Sequence, residues 1–600
     1  MLMMTAPGMA QITWDVTLNA STPVVILDCT PVTLCYNLQQ AWLEEDPMTG
    51  ITLTLLIRQV GNETAFQVVD NPHGFSTTGA TTTIGGYTFE IWSLTGVEIP
   101  SIDDGGEATI CLTLVQTLYT TTTSPKFHYT ASYDSEQIGG SGPGLDIDGS
   151  VFEVGTSSSS ETYLSDIKDD IAQAAWDVLV YGTLIVDDDF DFGGVYNFNM
   201  TEGARIVVQD GVELSFTDQA MLQGCVEPWD GIEVLEGGKL RMDGSTGNPS
   251  IKVIVQGAAT AVTAHDGSTV DVRHTVFRNN GIGIFAPESN DGLNQIEMNV
   301  HKSIFQGTVE FPGVPALSGI RVHQMSTPLL SEMNEFNHLV WGIEGFRSNI
   351  ISEKDYFERC EASGISVMGP GQTLVQNGRG LEENKPTFVD CYTGVWAQNT
   401  SVVSGNNVMH GVVNGYSLRG GIFWPVRVHD NLIRASRTGV AINQWLARIS
   451  FVVEDNEIYV DGLPQHSAGI FAELLIGRSP GLCRFDRNRI TADQARYGIY
   501  LNSSVQAGLN RNEVSLEAQM TNYGIALDNT DRCNLFCNLV EGQGSTYQTG
   551  IFLATASGNS LTCNTLDHTG LGIHYLGENV PTWMRGNQFN DHNRALQYGW

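Results

Sequence analysis

Positive charge is scarce in this 600-residue chain. Lys and Arg number 30 against 67 Asp and Glu, a formal net charge of −37. That excludes nucleic acid as the main partner, because phosphate binding needs clustered Lys and Arg. It also disfavours docking on an anionic membrane surface. No apolar run reaches the roughly 18 residues that cross a bilayer as a helix, so no membrane span is expected. Zinc-type Cys-x2-Cys pairs are missing, the nearest approach being Cys533 and Cys537. What is present points to a folded, turn-rich β protein. Apolar residues make up 41% of the chain, enough to bury a core. Glycine contributes 65 residues, above the ~7% average. Low charge with abundant Gly, Ser, Thr and Asn is an extracellular style of composition.

Residues 1–10, MLMMTAPGMA, contain no Lys or Arg and so do not form a complete signal peptide. A short apolar run closing on Gly-Met-Ala reads as the tail of one. The expectation is an exported chain, secreted or at the cell surface, with a mature start near Gln11. The alternative is an ordinary chain terminus.

Residues 11–135 carry short segments rich in Thr, Val, Ile and aromatics, cut by Gly, Asp, Asn and Pro. Examples are Gln11–Leu18, Pro23–Cys29, Ile51–Arg58, Tyr87–Leu94, Ala108–Gln116 and Lys126–Tyr133. Regular short strands with turn signals predict a β-sandwich. Trp92 leads into the turn Asp104-Gly105-Gly106 and then a Thr/Ile/Leu strand, and this run resembles the end of an immunoglobulin-like module. Residues 136–162 are rich in Gly, Ser and Asp and read as a linker. Across 163–178, Leu164, Ile167, Ile171 and Val178 fall at helical spacing, which predicts a short capping helix for a repeat array.

From 179 to 600 one pattern recurs. Its first half is a strand ending at Asn: Asn407, Asn431, Asn456, Asn488, Asn512, Asn538, Asn564 and Asn587. Two residues after each stands an apolar residue, and three before stand Ser404, Val428, Val453, Phe485, Leu509, Leu535, Leu561 and Met584. Its second half is Gly followed by Ile or Val, as at Gly342-Ile343, Gly364-Ile365, Gly421-Ile422, Gly439-Val440, Gly469-Ile470 and Gly498-Ile499. A near-regular period of this size means a solenoid. Two or three short alternating strands per repeat mean a parallel β-helix, whose coils, about 4.8 Å apart, bury identical positions in ladders. Asn at one turn position stacks along the axis as in cross-β ladders, so these eight asparagines are read as structural. The fold class is all-β: an N-terminal β-sandwich, then a right-handed parallel β-helix.

On these repeats residues 178–600 resemble the pectate-lyase-like parallel β-helix superfamily. Within it, the chain looks most like large secreted bacterial repeat proteins exported by the type IX route. The start of the array carries the resemblance too: Tyr181-Gly182-Thr183-Leu184, then Trp229-Asp230-Gly231-Ile232 and Gly237-Gly238. Tyr598-Gly599-Trp600 aligns with Tyr497-Gly498-Ile499, so the array is expected to be truncated at its C-terminus. The fold carries lyases, hydrolases and adhesins alike and does not choose among them.

Cys537 and Cys563 each precede a ladder Asn, and Cys360 and Cys391 each follow a Phe by three. Each pair is expected to stack on adjacent coils, within disulfide range or as buried thiols. Cys29, Cys35 and Cys111 share the N-terminal region, which leaves one over. Two outward columns hold charge: Glu457, Arg489 and Glu513 in one, Glu454, Asp486 and Asn510 in the other, with Arg427 and Arg484 close by. They read either as a polysaccharide groove with acid–base carboxylates or as a salt-bridge ladder. Calcium is the one cofactor the acidic clusters Asp187–Asp189 and Asp146-x-Asp148 could take, and neither matches an EF-hand loop. No other cofactor or metal is expected. Trp396, Trp424 and Trp445 are candidates for stacking on sugar rings.

Two function classes are compatible with these features. One is a non-catalytic surface protein that displays a binding face for extracellular polysaccharide or other surface glycans, as an adhesin or scaffold. The other is a polysaccharide lyase or glycoside hydrolase acting on an acidic polysaccharide in a groove along the helix. Three or more carboxylates converging with an Arg or Lys in one cleft would favour the enzyme. Evenly spread charge columns would favour display.

Overall fold

The computed structural model describes residues 12–18, 32–40, 48–60, 63–64, 66–84, 87–99, 107–116, 128–133, 136–141, 151–173, 177–194, 196–224, 228–244, 252–289, 295–307, 315–376, 386–421, 424–462, 467–479, 481–517, 520–579 and 582–599. The chain divides into two compact units. The first comprises 1–184, 195–205 and 221–229, and the second 185–194, 206–220 and 230–600.

The first unit contains two antiparallel sheets. One orders Ile12–Leu18, Val32–Gln40, Glu107–Gln116 and Phe66–Asp70. The other orders Glu136–Ser141, His128–Tyr133, Met48–Val60, Tyr87–Ile99 and Ser76–Ile84. The Pro23–Cys29 strand and the Asp104–Gly106 turn lie outside the described residues, as do residues 1–10. Strands also occupy the stretch whose composition reads as a linker. Val151–Val154 pairs in parallel with Asp177–Val180, which pairs with Tyr196–Met200. Gly and Ser richness masked the Val-Phe-Glu-Val alternation there. The expected helix spans Leu164–Gln173, with Leu164 and Ile171 fully buried.

The second unit is a right-handed parallel β-helix. Its most regular face is a sixteen-stranded parallel sheet from Phe190–Gly193 to Trp583–Arg585, one strand per coil. A typical coil runs Phe451–Glu454, Glu457–Val460 and Ala468–Glu473. Each of these pairs in register with Cys483–Asp486, Arg489–Ala492 and Tyr497–Asn502 of the next coil. Single left-handed residues make the corners: Asp455 (φ 55°) and Arg487 (φ 53°) after the first strand, Leu474 (φ 55°) after the third. Each such non-glycine corner costs roughly 1–2 kcal/mol, and at the first corner a hydrogen-bonded ladder offsets it.

The residue after that corner is the ladder asparagine. From Asn407 to Asn587, each backbone N–H donates to the next Asn Oδ1 at 2.9–3.2 Å, and each Nδ2 donates to the same oxygen at 2.8–3.0 Å. The second Nδ2 hydrogen goes back to a carbonyl of the preceding coil, as Asn488 to Val453 at 2.9 Å. The ladder amides are thus satisfied inside a dry core, where an orphan costs about 1–3 kcal/mol.

Glycine stands second in the third strand for a steric reason, with φ outside the left-handed region. A Cβ on Gly469 would sit 2.3 Å from Ile490 Cγ2 and 2.7 Å from the Gly498 carbonyl. Gly421-Ile422 does not belong to this column. Val395 is in register with Tyr416 and Tyr416 with Val440, so Gly415 holds that place. The Ile/Val position is filled by Tyr416 because its buried hydroxyl has partners: it reaches Ser404 Oγ at 2.8 Å and donates to Asn431 Oδ1 at 3.0 Å. Ser404 stands in its column, ahead of Val428 and Val453, for the same reason.

Candidate functional site

The two outward charge columns stand in register on different faces of the solenoid. Glu457, Arg489 and Glu513 face one another along the second strands, and Arg489 Nε meets Glu513 Oε2 at 3.0 Å. On the first strands Glu454 pairs with Asp486 and Asp486 with Asn510. Glu454 takes Arg427 Nε at 2.9 Å and Arg487 Nη2 at 3.0 Å, Asp486 takes Arg484 at 3.6 Å, and Asn510 Nδ2 donates to Asp486 at 2.6 Å. Arg487, which the sequence pattern did not single out, also grips Asp455 at 2.6 Å and holds its carboxyl below the usual range. This is the geometry of a cross-coil ion-pair ladder, in which Glu454, Asp455, Asp486 and Glu513 are each answered by an arginine of their own or a neighbouring coil and Glu457 accepts from the Tyr459 hydroxyl.

Cys360 and Cys391 are buried, with the Cys391 thiol donating to the Phe357 and Val389 carbonyls, and Cys537 and Cys563 lie nearer the surface. All four are free thiols. Cys35 and Cys111 are register partners on neighbouring antiparallel strands, while Cys29 lies outside the described residues, as does Asp146-x-Asp148. Asp189 accepts from the Glu213 amide at 2.8 Å and Asp191 from Thr217 Oγ1 at 3.0 Å, so both serve as coil-to-coil acceptors. Trp445 is a packing residue, 1% exposed and edge-on to Phe451 at 5.3 Å. Trp424 is half-buried. Trp396 has a different setting.

Trp396 lies on the outward side of Thr393–Gln398. Its register partner one coil back is Ser366, and that of Ser366 is Glu344. In the adjacent column Trp341 is partnered by Ser363. The two indoles are therefore offset by two coils, about 10 Å along the axis, and by three residues along the strand, with the small side chains of Ser363 and Ser366 between them. The result is a recess of about 520 Å³ walled by Trp341, Glu344, Glu361, Tyr392 and Trp396. Tyr392 is 49% exposed. Glu344 is held rigidly, accepting from Arg321 Nε at 2.6 Å and Ser318 Oγ at 3.2 Å. Arg321 lies over the Trp341 ring at 5.9 Å.

A second recess of about 570 Å³ meets the first at Glu361 and Tyr392. His338, Arg359 and Asp390 border it, with Cys360 and Cys391 behind. These three are the left-handed corner residues of consecutive coils, at φ 55°, 52° and 52°, and the corner turns their side chains outward together. Arg359 Nη1 and His338 Nε2 are 3.0 Å apart. The combined recess thus gathers three carboxylates (Glu344, Glu361 and Asp390), two arginines at its edge and three aromatics. Of its residues the sequence alone pointed only to Trp396 and the two cysteines. The signal that would have found the rest is the corner column, whose residues vary in type.

Fold and recess together define a parallel β-helix protein with an aromatic, acid-lined surface groove. Residues 347–599, less than half of the chain, match the family described as NosD, a periplasmic copper-binding protein. No curated protein matches the chain. Among solved structures, the catalytic domain of a GH87 alpha-1,3-glucanase in complex with nigerose is similar at 8% identity, covering 98% of this chain and 99% of that one with a TM-score of 0.16. A Yersinia enterocolitica family 28 exopolygalacturonase aligns at 8% identity, 99% of each chain and a TM-score of 0.15. PfbA, a surface adhesin of Streptococcus pneumoniae, aligns at 11% identity over 72% of this chain and 88% of that one, TM-score 0.16.

The copper in that family description can be tested against the residues present. Among the described residues one group has metal-ligand spacing: Asp567, His568 and Asp591. Its single imidazole already faces both carboxylates, Nδ1 at 2.8 Å from Asp567 and Nε2 at 3.4 Å from Asp591. One nitrogen ligand and two carboxylates do not make the imidazole- or thiolate-rich set that copper favours. The residues do not fit copper. No helix among the described residues is long and apolar enough to cross a membrane.

Proposed function

We propose that the protein is exported and binds carbohydrate in the recess between Trp341 and Trp396, displaying that site on a rigid solenoid. One observation carries the reading. Two indoles and a tyrosine flank a floor of serines, with a carboxylate fixed by an arginine at the rim. Aromatic faces stack on the apolar faces of sugar rings, and a fixed carboxylate accepts from their hydroxyls. The acidic lining and the net charge of −37 favour neutral sugars over uronates, since like charges repel across a shared cleft. Ion-paired columns elsewhere on the helix are consistent with scaffold rather than site.

A second reading has its own support. Glu361 and Asp390 sit with Arg359 and His338 along one continuous recess, the kind of convergence that glycoside hydrolysis uses. Affinity electrophoresis against neutral and acidic polysaccharides tests the first reading. Trp341→Ala or Trp396→Ala is expected to weaken retention on a neutral glycan about tenfold, near the ~1.4 kcal/mol of one stacking contact. Retention unchanged by both substitutions sinks the proposal. Assaying the same panel for new reducing or unsaturated ends, with calcium and then chelator, decides between display and turnover.

A further inference from the structure

Four of the six free cysteines among the described residues stand in two stacked pairs, and the pairs differ in access. Cys360 and Cys391 are 0% and 1% exposed. Cys537 is half-buried and Cys563 exposed. The second pair is also in register. Its neighbours are matched on both sides, Phe536 with Thr562 and Leu539 with Thr565, so the two cysteines occupy the same corner of successive coils. Both adopt the left-handed conformation, at φ 52° and 60°, so their Cα–Cβ bonds point the same way. The neighbouring Cys563 thiol pushes that of Cys537 up. Adjacent parallel strands lie about 4.8 Å apart, inside the Cα range of roughly 4.4–6.8 Å that a disulfide spans.

We propose that Cys537 and Cys563 form a surface dithiol site that a disulfide donor converts, in the folded protein, into a clasp between two coils. The exposed Cys563, as thiolate, attacks the donor disulfide, breaks its S–S bond and displaces one donor thiolate. Cys537, as thiolate, then attacks the Cys563 sulfur of the mixed disulfide and displaces the second. The protons lost by the two cysteines go to the released donor thiolates, and two electrons pass from the protein sulfurs to the donor. Exchange needs an open line of approach to the sulfur, so the sealed Cys360–Cys391 pair stays a dithiol under the same treatment. It serves as an internal control.

The test incubates the full folded chain with oxidised glutathione, then denatures it, blocks free thiols with an alkylating agent and maps peptides by mass spectrometry. The expected product is a Cys537 peptide joined to a Cys563 peptide, two hydrogens lighter than the sum of the two, with Cys360 and Cys391 alkylated. Cys537→Ser removes the resolving thiol and is expected to leave glutathione on Cys563. Three results in the unsubstituted chain overturn the proposal: Cys537 and Cys563 both alkylated, glutathione persisting on Cys563, or Cys563 linked to Cys533.

Discussion

Asp355 occupies the ladder position in a coil where the sequence shows no asparagine. It ends a shorter ladder of mixed composition. Thr275 N–H donates to Ser303 Oγ at 3.2 Å, Ser303 N–H to Asn334 Oδ1 at 2.8 Å, and Asn334 N–H to Asp355 Oδ1 at 2.8 Å. Ser331 and Ser352 hydroxyls donate to Asp355 Oδ2 at 2.7 Å each. An acceptor-only side chain suits the last step of a donor chain. Complete burial nevertheless outweighs these three hydrogen bonds and pushes the carboxyl up to about 7. Between the usual carboxylate value and 7, the folded state therefore binds the proton that the unfolded chain has released. The stability this confers is full below pH ~4 and is lost as pH rises through 7, on the order of 4 kcal/mol. Asp355→Asn keeps the shape and removes the titration. Urea unfolding of the two proteins from pH 5 to 8 is expected to show wild-type stability falling relative to the variant. Parallel curves would mean that the carboxylate stays ionised across the whole range.

At the scale of the coil, two sets of residues were legible because the same residue type recurs in the same place over many consecutive coils. Asparagine supplies one acceptor and two donors at the first corner of every coil from Asn407 to Asn587, and glycine clears the side chain of the neighbouring second strand in most coils. The shorter ladder escaped because Thr, Ser and Asp stand in for Asn. Its trace was the apolar residue two positions on, Phe277, Phe305, Phe336 and Phe357, whose rings stack with centroids 4.7–5.0 Å apart. The recess escaped for the opposite reason. Trp341 and Trp396 stand in different columns two coils apart, with Ser366 below Trp396, and only coil register brings them to one recess. The steric role of glycine can be measured. Gly469→Ala puts a methyl against both Ile490 and the Gly498 carbonyl, and is expected to cost about 1–3 kcal/mol. Shortening Ile490 to Val removes only part of the clash, because the carbonyl is backbone. The double variant should therefore remain destabilised relative to Ile490→Val alone, as read by its denaturation midpoint. Full recovery would show that side-chain contact alone keeps glycine there.

In the whole β-helix each coil touches only the coils before and after it, so stability should sum from neighbour to neighbour. The stacked phenylalanines from Phe277 to Phe388 lie under the coils that carry the recess, and Phe336 sits mid-stack between Phe305 and Phe357 at 5.0 and 4.8 Å. Phe336→Ala opens a cavity there, at a cost of about 3–5 kcal/mol. If coils behave as neighbours only, amide exchange should rise sharply at Ile304–Gln306, Glu335–Asn337 and Tyr356–Glu358. Cys483–Asp486 and Arg489–Ala492, several coils away, should exchange as before. The recess would feel the change, because the strand bearing Trp341 comes after Phe336 in the same coil. A uniform rise along the solenoid would instead mean that it opens as one cooperative body, and that any occupant of the recess is felt at every coil.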